Sequence, residues 1–287
     1  MSEELDASAV ALSPAATVML VRDGLGGLEV FMLRRALGAS FAGGVYVFPG
    51  GRVDAADHAG ELEAICDDLD DQQASARLGV ERGGLAFWVA AIRECFEEAG
   101  VLLARPVDGD AAIRFDDPAT AQRFATARRV VHSGELSLVD LCAGEGLRLI
   151  TGLVQYVAHW ITPIGEPKRF DTRFFLALAP PAQEPLHDDS ETIASLWVTP
   201  RDALARGAAS ELQLYAPTIH NLEFLDQHSS AATALAAGAA IGSPPAILPR
   251  LRFGDDGRFV GVVLPDHADY ESIPVPTTVQ RGHRGRG

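Results

Sequence analysis

The stretch whose reading decides the fold is Arg93-Glu94-Cys95-Phe96-Glu97-Glu98-Ala99-Gly100-Val101. It closes a segment, residues 85–99, in which Trp88, Ala91, Ile92, Cys95, Phe96 and Ala99 recur at three- and four-residue spacing. That period predicts a helix with one apolar arc, and Gly100 is a natural stop. Glu94, Glu97 and Glu98 fall at i, i+3 and i+4, so three carboxylates share one face, away from the arc. Like charges this close repel unless a cation sits among them. An all-oxygen donor set suits Mg²⁺ or Mn²⁺, and magnesium readily takes phosphate oxygens as further ligands. The cluster therefore points to a small polyanion held through metal. Arg93, four residues before Glu97, can clamp that carboxylate. A solvated acidic face is the plain alternative, and what precedes the helix tells against it. Val47-Phe48-Pro49-Gly50-Gly51 is a turn whose glycines let backbone carbonyls approach a ligand.

Outward from this segment, the rest of the chain sets bounds. Its 287 residues can bury a core that needs no disulfide or metal to fold. With 47% hydrophobic and 22% charged residues the composition excludes global disorder. No apolar run reaches the roughly 18–20 residues of a membrane span. The acidic start, MSEELDASAV, lacks the basic region of a secretory signal. Cys66, Cys95 and Cys142 are odd in number and share no CxxC spacing, which suits a reducing cytoplasm. A net charge of −15 makes nucleic acid a poor partner, and an anionic small molecule needs a bridging cation. No membrane partner is expected, and a homodimer is left open.

Residues 1–14 read as a flexible leader. Two β-branched runs, 16–22 and 29–35, flank a glycine turn and read as adjacent strands. Residues 45–48 read as a short strand and 101–104 as another. Helical character covers 117–147. Strands are expected at 156–162, 174–179 and 192–198, followed by helices at 200–206, 217–225 and 229–240. Residues 247–253 and 258–264 flank Gly254-Asp255-Asp256-Gly257, a hairpin signature. The tail from 274 is expected to be frayed. Strands and helices interleave, so the class is α/β or α+β.

The pattern from Arg93 to Val101 resembles the signature of the Nudix hydrolases: Gly, five residues, Glu, seven residues, then Arg-Glu-apolar-x-Glu-Glu-x-Gly-apolar. Five fixed residues at about 5% background each make a chance match in one chain roughly a 1-in-10,000 event. In the first half, Gly51 is followed by Asp57 where the family has Glu. Thirty-five residues separate Asp57 from Arg93, where the box has seven, so an insertion of 28 splits the motif. That split resembles the branch containing the peroxisomal coenzyme A diphosphatases. The segments Phe31-Met-Leu-Arg-Arg35, Ser40-Phe41, Trp160-Ile-Thr-Pro163 and Arg169-Phe-Asp-Thr-Arg-Phe-Phe175 are similar to those of that branch. Gly44 to Gly51 matches the end of a coenzyme A signature known in some members, and Ser40 stands where that signature has Arg. The resemblance covers residues 15–225.

It implies an α/β/α sandwich with a mixed sheet, a helical insertion in the box (about 58–84) and a C-terminal extension over 226–273. It implies metal-dependent attack of water on a nucleoside diphosphate-linked metabolite, first coenzyme A or an acyl derivative, second ADP-ribose or NADH. A catalytically silent Nudix-like binding module is the reading of another class. Degenerate modules usually lose one of Glu94, Glu97 and Glu98, and this chain keeps all three. The implied metal ligands are Glu94, Glu98 and Glu97 with a carbonyl of Gly50 or Gly51. Arg93 clamps, Asp57 is structural, and the general base is a box glutamate or Glu191. Substrate contacts are expected from Arg34, Ser40, Arg169 and Arg173, with Lys168 nearby. The acidic insertion, 58–82, is expected to project beside the site and to be removable without unfolding the protein.

Overall fold

The glycine turn does make the hairpin on which the fold is built. A computed structural model describes residues 4–36, 43–58, 62–188 and 191–280. Its strands begin with β1 (Glu4–Asp6), β2 (Leu12–Gly24), β3 (Gly27–Arg35), β4 (Tyr46–Val47) and β5 (Gly50–Arg52). They continue with β6 (Ala104–Pro106), β7 (Leu147–Leu149), β8 (Gln155–Ile161), β9 (Arg169–Leu178) and β10 (Thr192–Val198). The last four are β11 (Ala246–Ile247), β12 (Arg250–Phe253), β13 (Phe259–Val263) and β14 (Thr278–Gln280). The helices are α1 (Leu62–Ile65), α2 (Asp71–Leu78), α3 (Leu85–Glu94), α4 (Pro118–His132), α5 (Leu138–Glu145), α6 (Pro200–Ala208), α7 (Ala216–Asp226) and α8 (Ala231–Ile241). The chain divides into a larger unit, Ala15–Val157 with Arg173–Pro244, and a smaller one, Met1–Pro14 with Ala158–Thr172 and Pro245–Gly287.

In the larger unit the strands lie in the order β10-β3-β2-β9-β8. β3 is antiparallel to β2 and β10, and the short β4 and β5 pair with β3 and β2. Alternation along β2 sends Ala16, Val18 and Leu20 into the same core as α3, joined from β3 by Phe31 and Leu33. Trp88 of α3 lies at the centre of this core. Its ring is 4.7 Å from Phe175, and its indole N–H donates to the Val154 carbonyl at 2.9 Å. On the other face of the sheet, Gly238 of α8 lies against Val157 and Leu176, so close that a Cβ there would crowd Val157. The α8 N-terminus is tied to the hairpin by the Ala231 N–H, which donates to Asp23 at 2.7 Å. The sandwich thus has helix layers on both faces.

Several expectations need correction. The run 117–147 is two helices. Gly134, at φ +75°, ends the first, and Ser137 caps the second by accepting from the Asp140 N–H. The strand expected at 101–104 starts only at Ala104. The Leu102 backbone is instead matched by the Gln183 side-chain amide, which accepts its N–H at 2.8 Å and donates to its carbonyl at 3.1 Å. The C-terminal extension was expected to begin at 226, yet α8 belongs to the larger unit. The box insertion is helical but does not project. Leu62, Ile65, Cys66, Leu69, Ala74 and Leu78 are all buried in the same core as α3. Its acids account for its polar look. Asp67 is buried between Arg105 and Arg148, and Asp71 accepts the N–H groups of Gly83 and Leu85 at the start of α3.

The smaller unit pairs β1 with β14, so neither the leader nor the tail is wholly loose: Glu4 stands opposite Gln280 and Asp6 opposite Thr278. β12 and β13 form the expected hairpin. β11 runs parallel to β8 at His159 and Trp160, which makes the sheet mixed.

Candidate active site

α3 ends at Glu94, and the chain continues through one π-helical turn, Cys95–Ala99, before Gly100 leaves it at φ +71°. A π turn adds a residue to the helical circuit and is frequent at functional sites. It alters the expected single acidic face. Glu98 turns inward, 2% exposed, and accepts the Gly50 N–H at 2.9 Å. Glu97 accepts from Arg93 Nη1 at 3.1 Å, and its second oxygen lies 3.5 Å from His132 Nδ1. Glu94 accepts from the same Arg93 nitrogen at 2.9 Å.

Arg93 organises this corner. Besides the two glutamates it holds Asp57, from Nε at 2.9 Å and Nη2 at 3.0 Å, and the Arg52 carbonyl at 2.7 Å. Asp57 is 1% exposed, and its carboxylate also accepts the Asp54 N–H at 2.8 Å. The structural role expected of Asp57 follows from this pairing. The turn that faces the glutamates must be glycine. A Cβ at Gly51 would collide with the Glu94 carboxylate, and one at Gly50 would collide with the backbone of β2. β5, made of Gly50-Gly51-Arg52, is fixed by pairing with Ala15–Thr17.

Burial gives the carboxylates high proton affinity. Glu94 is pushed up to about 7, first by burial and then by the neighbouring Glu97, with Arg93 opposing. Glu98 is raised well above the usual range by burial and by the charge of Glu94. The Gly50 N–H and Arg35 pull it back, and Glu191 raises it further. Glu97 is raised by burial, while Arg93 and His132 oppose. Among the described residues no three His, Cys, Asp or Glu side chains are already gathered as a metal cage. The donor chemistry nonetheless fits a hard divalent cation. Glu98 is buried and is repelled by the partly buried Glu94 beside the glycine turn, and a divalent ion would relieve that repulsion.

The remaining candidates are scattered. Glu191 is exposed, and its carbonyl accepts the Ala36 N–H at 2.9 Å, beside the end of β3. Arg173 is buried on β9 with its guanidinium 5.5 Å from the Phe87 ring centroid. Arg169, which donates to the Thr162 carbonyl at 3.1 Å, and Lys168 belong to the smaller unit. Ser40 lies outside the described residues. Arg34 is on β3, directly opposite Tyr46. Sequence reasoning missed Arg128. From α4 its Nε donates to the Glu97 carbonyl and its Nη2 to those of Glu98 and Leu186, at 2.8, 2.8 and 3.0 Å. It caps the π turn and ties it to the segment that leads to Glu191. No local pattern marks an arginine whose acceptors lie 30, 31 and 58 residues away.

A glycine turn closed against inward-facing helix glutamates, on a mixed sheet with helices on both faces, is the arrangement of a Nudix domain. A family model of the NUDT19 Nudix domain matches residues 70–225, more than half of the chain, and the chain belongs to that family. Its relatives include the acyl-coenzyme A diphosphatase NUDT19 of Gallus gallus, 29% identical over 236 residues, which are 70% of this chain and 62% of that one. The Homo sapiens protein of the same name is 27% identical over 242 residues, 71% of this chain and 62% of that one. The chain thus spans less than two thirds of the length of either. The crystal structure of a Nudix hydrolase from Alicyclobacillus acidocaldarius superposes with a TM-score of 0.64 at 30% identity, covering 79% of this chain and 97% of that one.

Proposed function

We propose that the chain is a divalent-metal-dependent hydrolase of coenzyme A or acyl-coenzyme A, yielding an adenosine bisphosphate and a phosphopantetheine or its acyl derivative. The observation that carries this is the buried Glu98 beside the partly buried Glu94 at the Gly50-Gly51 turn, in a chain whose relatives are named acyl-coenzyme A diphosphatases. Glu94 and Glu98, with Glu97 and the Gly50 carbonyl, would hold Mg²⁺ or Mn²⁺. Such an ion, when bound, neutralises phosphate charge and acidifies a water. The protein's own groups do the rest. Arg93 fixes the rotamers of Glu94 and Glu97 through paired hydrogen bonds. The Gly50 N–H keeps one Glu98 oxygen turned to the glycine turn. Glu191, exposed on its loop, is the group we assign to take the proton of the attacking water. Three buried free thiols support the reducing, cytoplasmic setting expected from the sequence.

The test is mass spectrometry of products from coenzyme A, acyl-coenzyme A, ADP-ribose and NADH, each with Mg²⁺ and with Mn²⁺. Metal-dependent release of an adenosine bisphosphate from the thioesters is expected. A much higher kcat/KM for ADP-ribose or NADH would overturn the substrate, and no metal-dependent hydrolysis at all would overturn the class.

A further inference from the structure

Phe124, Arg128, Val131 and His132 of α4 lie at i, i+4, i+7 and i+8, so they share one face of that helix. Phe124 and Val131 are buried in the same core as α3. Phe124 is held from outside the helix as well, its ring stacked on that of Phe115 at 4.9 Å. The face is thereby docked, and its two polar members meet one residue, Glu97. Arg128 Nε donates to the Glu97 carbonyl at 2.8 Å, and His132 Nδ1 lies 3.5 Å from the Glu97 carboxylate.

A helix leaves its last four carbonyls without partners of its own. Here the Phe96 carbonyl accepts the Gly100 N–H, and the next three are met from elsewhere in the chain. Arg128 serves those of Glu97 and Glu98, and the Leu186 N–H donates to that of Ala99 at 2.9 Å. Arg128 Nη2 also reaches the Leu186 carbonyl at 3.0 Å, so one guanidinium holds the π turn and the Leu186 segment together. That segment leads to Glu191, whose N–H donates to the Asp188 carboxylate at 3.1 Å and whose charge is felt by the buried Glu98. Water can satisfy the carbonyls of a helix that has only to end. A planar fork bonded to two segments also fixes their spacing, which water and an ammonium do not.

We propose that Arg128 is a positioning residue: it holds the π turn that points Glu98 at the Gly50 N–H, and it sets the distance from that turn to Glu191. It touches neither metal nor substrate. Without it the turn relaxes to the α register, which closes its circuit one residue sooner, and Glu98 swings off the glycine turn. This role rests on the metal-dependent hydrolase reading above, and it adds a residue outside the box on which the geometry of the box depends.

Metal binding and turnover test it separately. Isothermal titration of the metal-free full chain with Mn²⁺ should show Arg128→Ala binding about tenfold more weakly than wild type. On the best-cleaved thioester its kcat should fall about tenfold or more while KM stays within about threefold, since no group that touches substrate is lost. Arg128→Lys keeps the charge but cannot serve three carbonyls. It should fall between Arg128→Ala and wild type in both measurements, and it carries the test if Arg128→Ala does not fold. Arg129→Ala removes a neighbouring cation whose side chain is exposed and bonds Thr126 of its own helix at 3.2 Å, and it should match wild type. A folded Arg128→Ala chain with wild-type Mn²⁺ affinity and kcat overturns the proposal. So does a loss confined to KM, an equal loss in Arg129→Ala, or an Arg128→Lys chain indistinguishable from wild type. Loss of cooperative melting in both Arg128 variants makes the residue one of stability alone and overturns it too, as does a wild-type chain that binds no Mn²⁺. A wild-type chain that cleaves no thioester, yet binds Mn²⁺ in a way that Arg128→Ala weakens, sinks the functional reading and leaves this one standing.

Discussion

Arg93 grips both oxygens of Asp57, at 2.9 and 3.0 Å, although 35 residues lie between the two in sequence. The pair rejoins the halves of the interrupted box. It also sets the glutamates, because the same guanidinium donates to Glu94 and Glu97. Asp57 thus reaches the site through Arg93.

Removing Asp57 should be costly. A buried charge that loses its partner typically destabilises a protein by about 3–5 kcal/mol, and Arg93 retains three other acceptors, Glu94, Glu97 and the Arg52 carbonyl, so Asp57→Ala should fall near the low end. Arg93→Lys keeps the charge but cannot serve four acceptors, and its kcat should drop about tenfold or more while KM changes little. Urea unfolding and steady-state kinetics measure the two effects. A Asp57→Ala variant with wild-type stability and kcat would show that the pair is dispensable.

Glu98 and catalysis should come apart from Glu98 and stability. Its carboxylate is buried and repelled by Glu94, so its charge burdens the metal-free fold. Glu98→Gln keeps the shape and removes that charge. We expect the metal-free variant to melt at or above the wild-type temperature, to gain little from added Mn²⁺ or Mg²⁺, and to lose nearly all turnover. Thermal shift with and without metal, alongside kcat, is the measurement. Wild-type turnover at saturating Mg²⁺ would refute the metal assignment.

The pH dependence of the metal-free protein follows from Glu94, raised by burial and by Glu97 from the ordinary glutamate value, 4.5, to about 7. A carboxyl that holds its proton more tightly when folded stabilises the fold fully below its unfolded pKa and loses that contribution as pH rises through the folded one. Between pH 5 and pH 8 the melting temperature of the metal-free protein should therefore fall. Glu94→Gln should flatten that fall, and divalent metal should reverse it in the wild type. A flat wild-type profile without metal would contradict a Glu94 proton affinity raised by burial beyond what Arg93 offsets.

How far the sequence could be read depends on which contacts are local. The apolar arc from Trp88 to Ala99 is a period within one helix, and it was legible. The inward turn of Glu98 was not, because it comes from a π turn held by Arg128, whose acceptors there are 30 and 31 residues away. β5 has no alternation to read, since two of its three residues are glycines and its pairing with Ala15–Thr17 is remote.

The box insertion shows the same effect most strongly, and it yields the last prediction. Its acids suggest a solvated excursion, yet six apolar residues from it line the α3 core. Asp71 adds a second tie by accepting from the Gly83 and Leu85 N–H groups at 2.9 and 3.0 Å, which satisfies donors at the α3 N-terminus that no helix carbonyl can reach. Ser75 Oγ accepts the Gly84 N–H in the same way. Replacing residues 58–84 with a short linker would expose the α3 face covered by Leu62, Ile65 and Leu69. Burying each such side chain is worth roughly 1.5–3 kcal/mol, so together they approach the 5–15 kcal/mol that holds a typical domain folded. We expect the deletion variant to lose its cooperative thermal transition. Asp71→Ala, which removes only the cap, should cost about 1–2 kcal/mol and leave the fold intact. Circular dichroism melting of both variants measures this. A deletion variant that still melts cooperatively near the wild-type temperature would return the insertion to the role of an appendage.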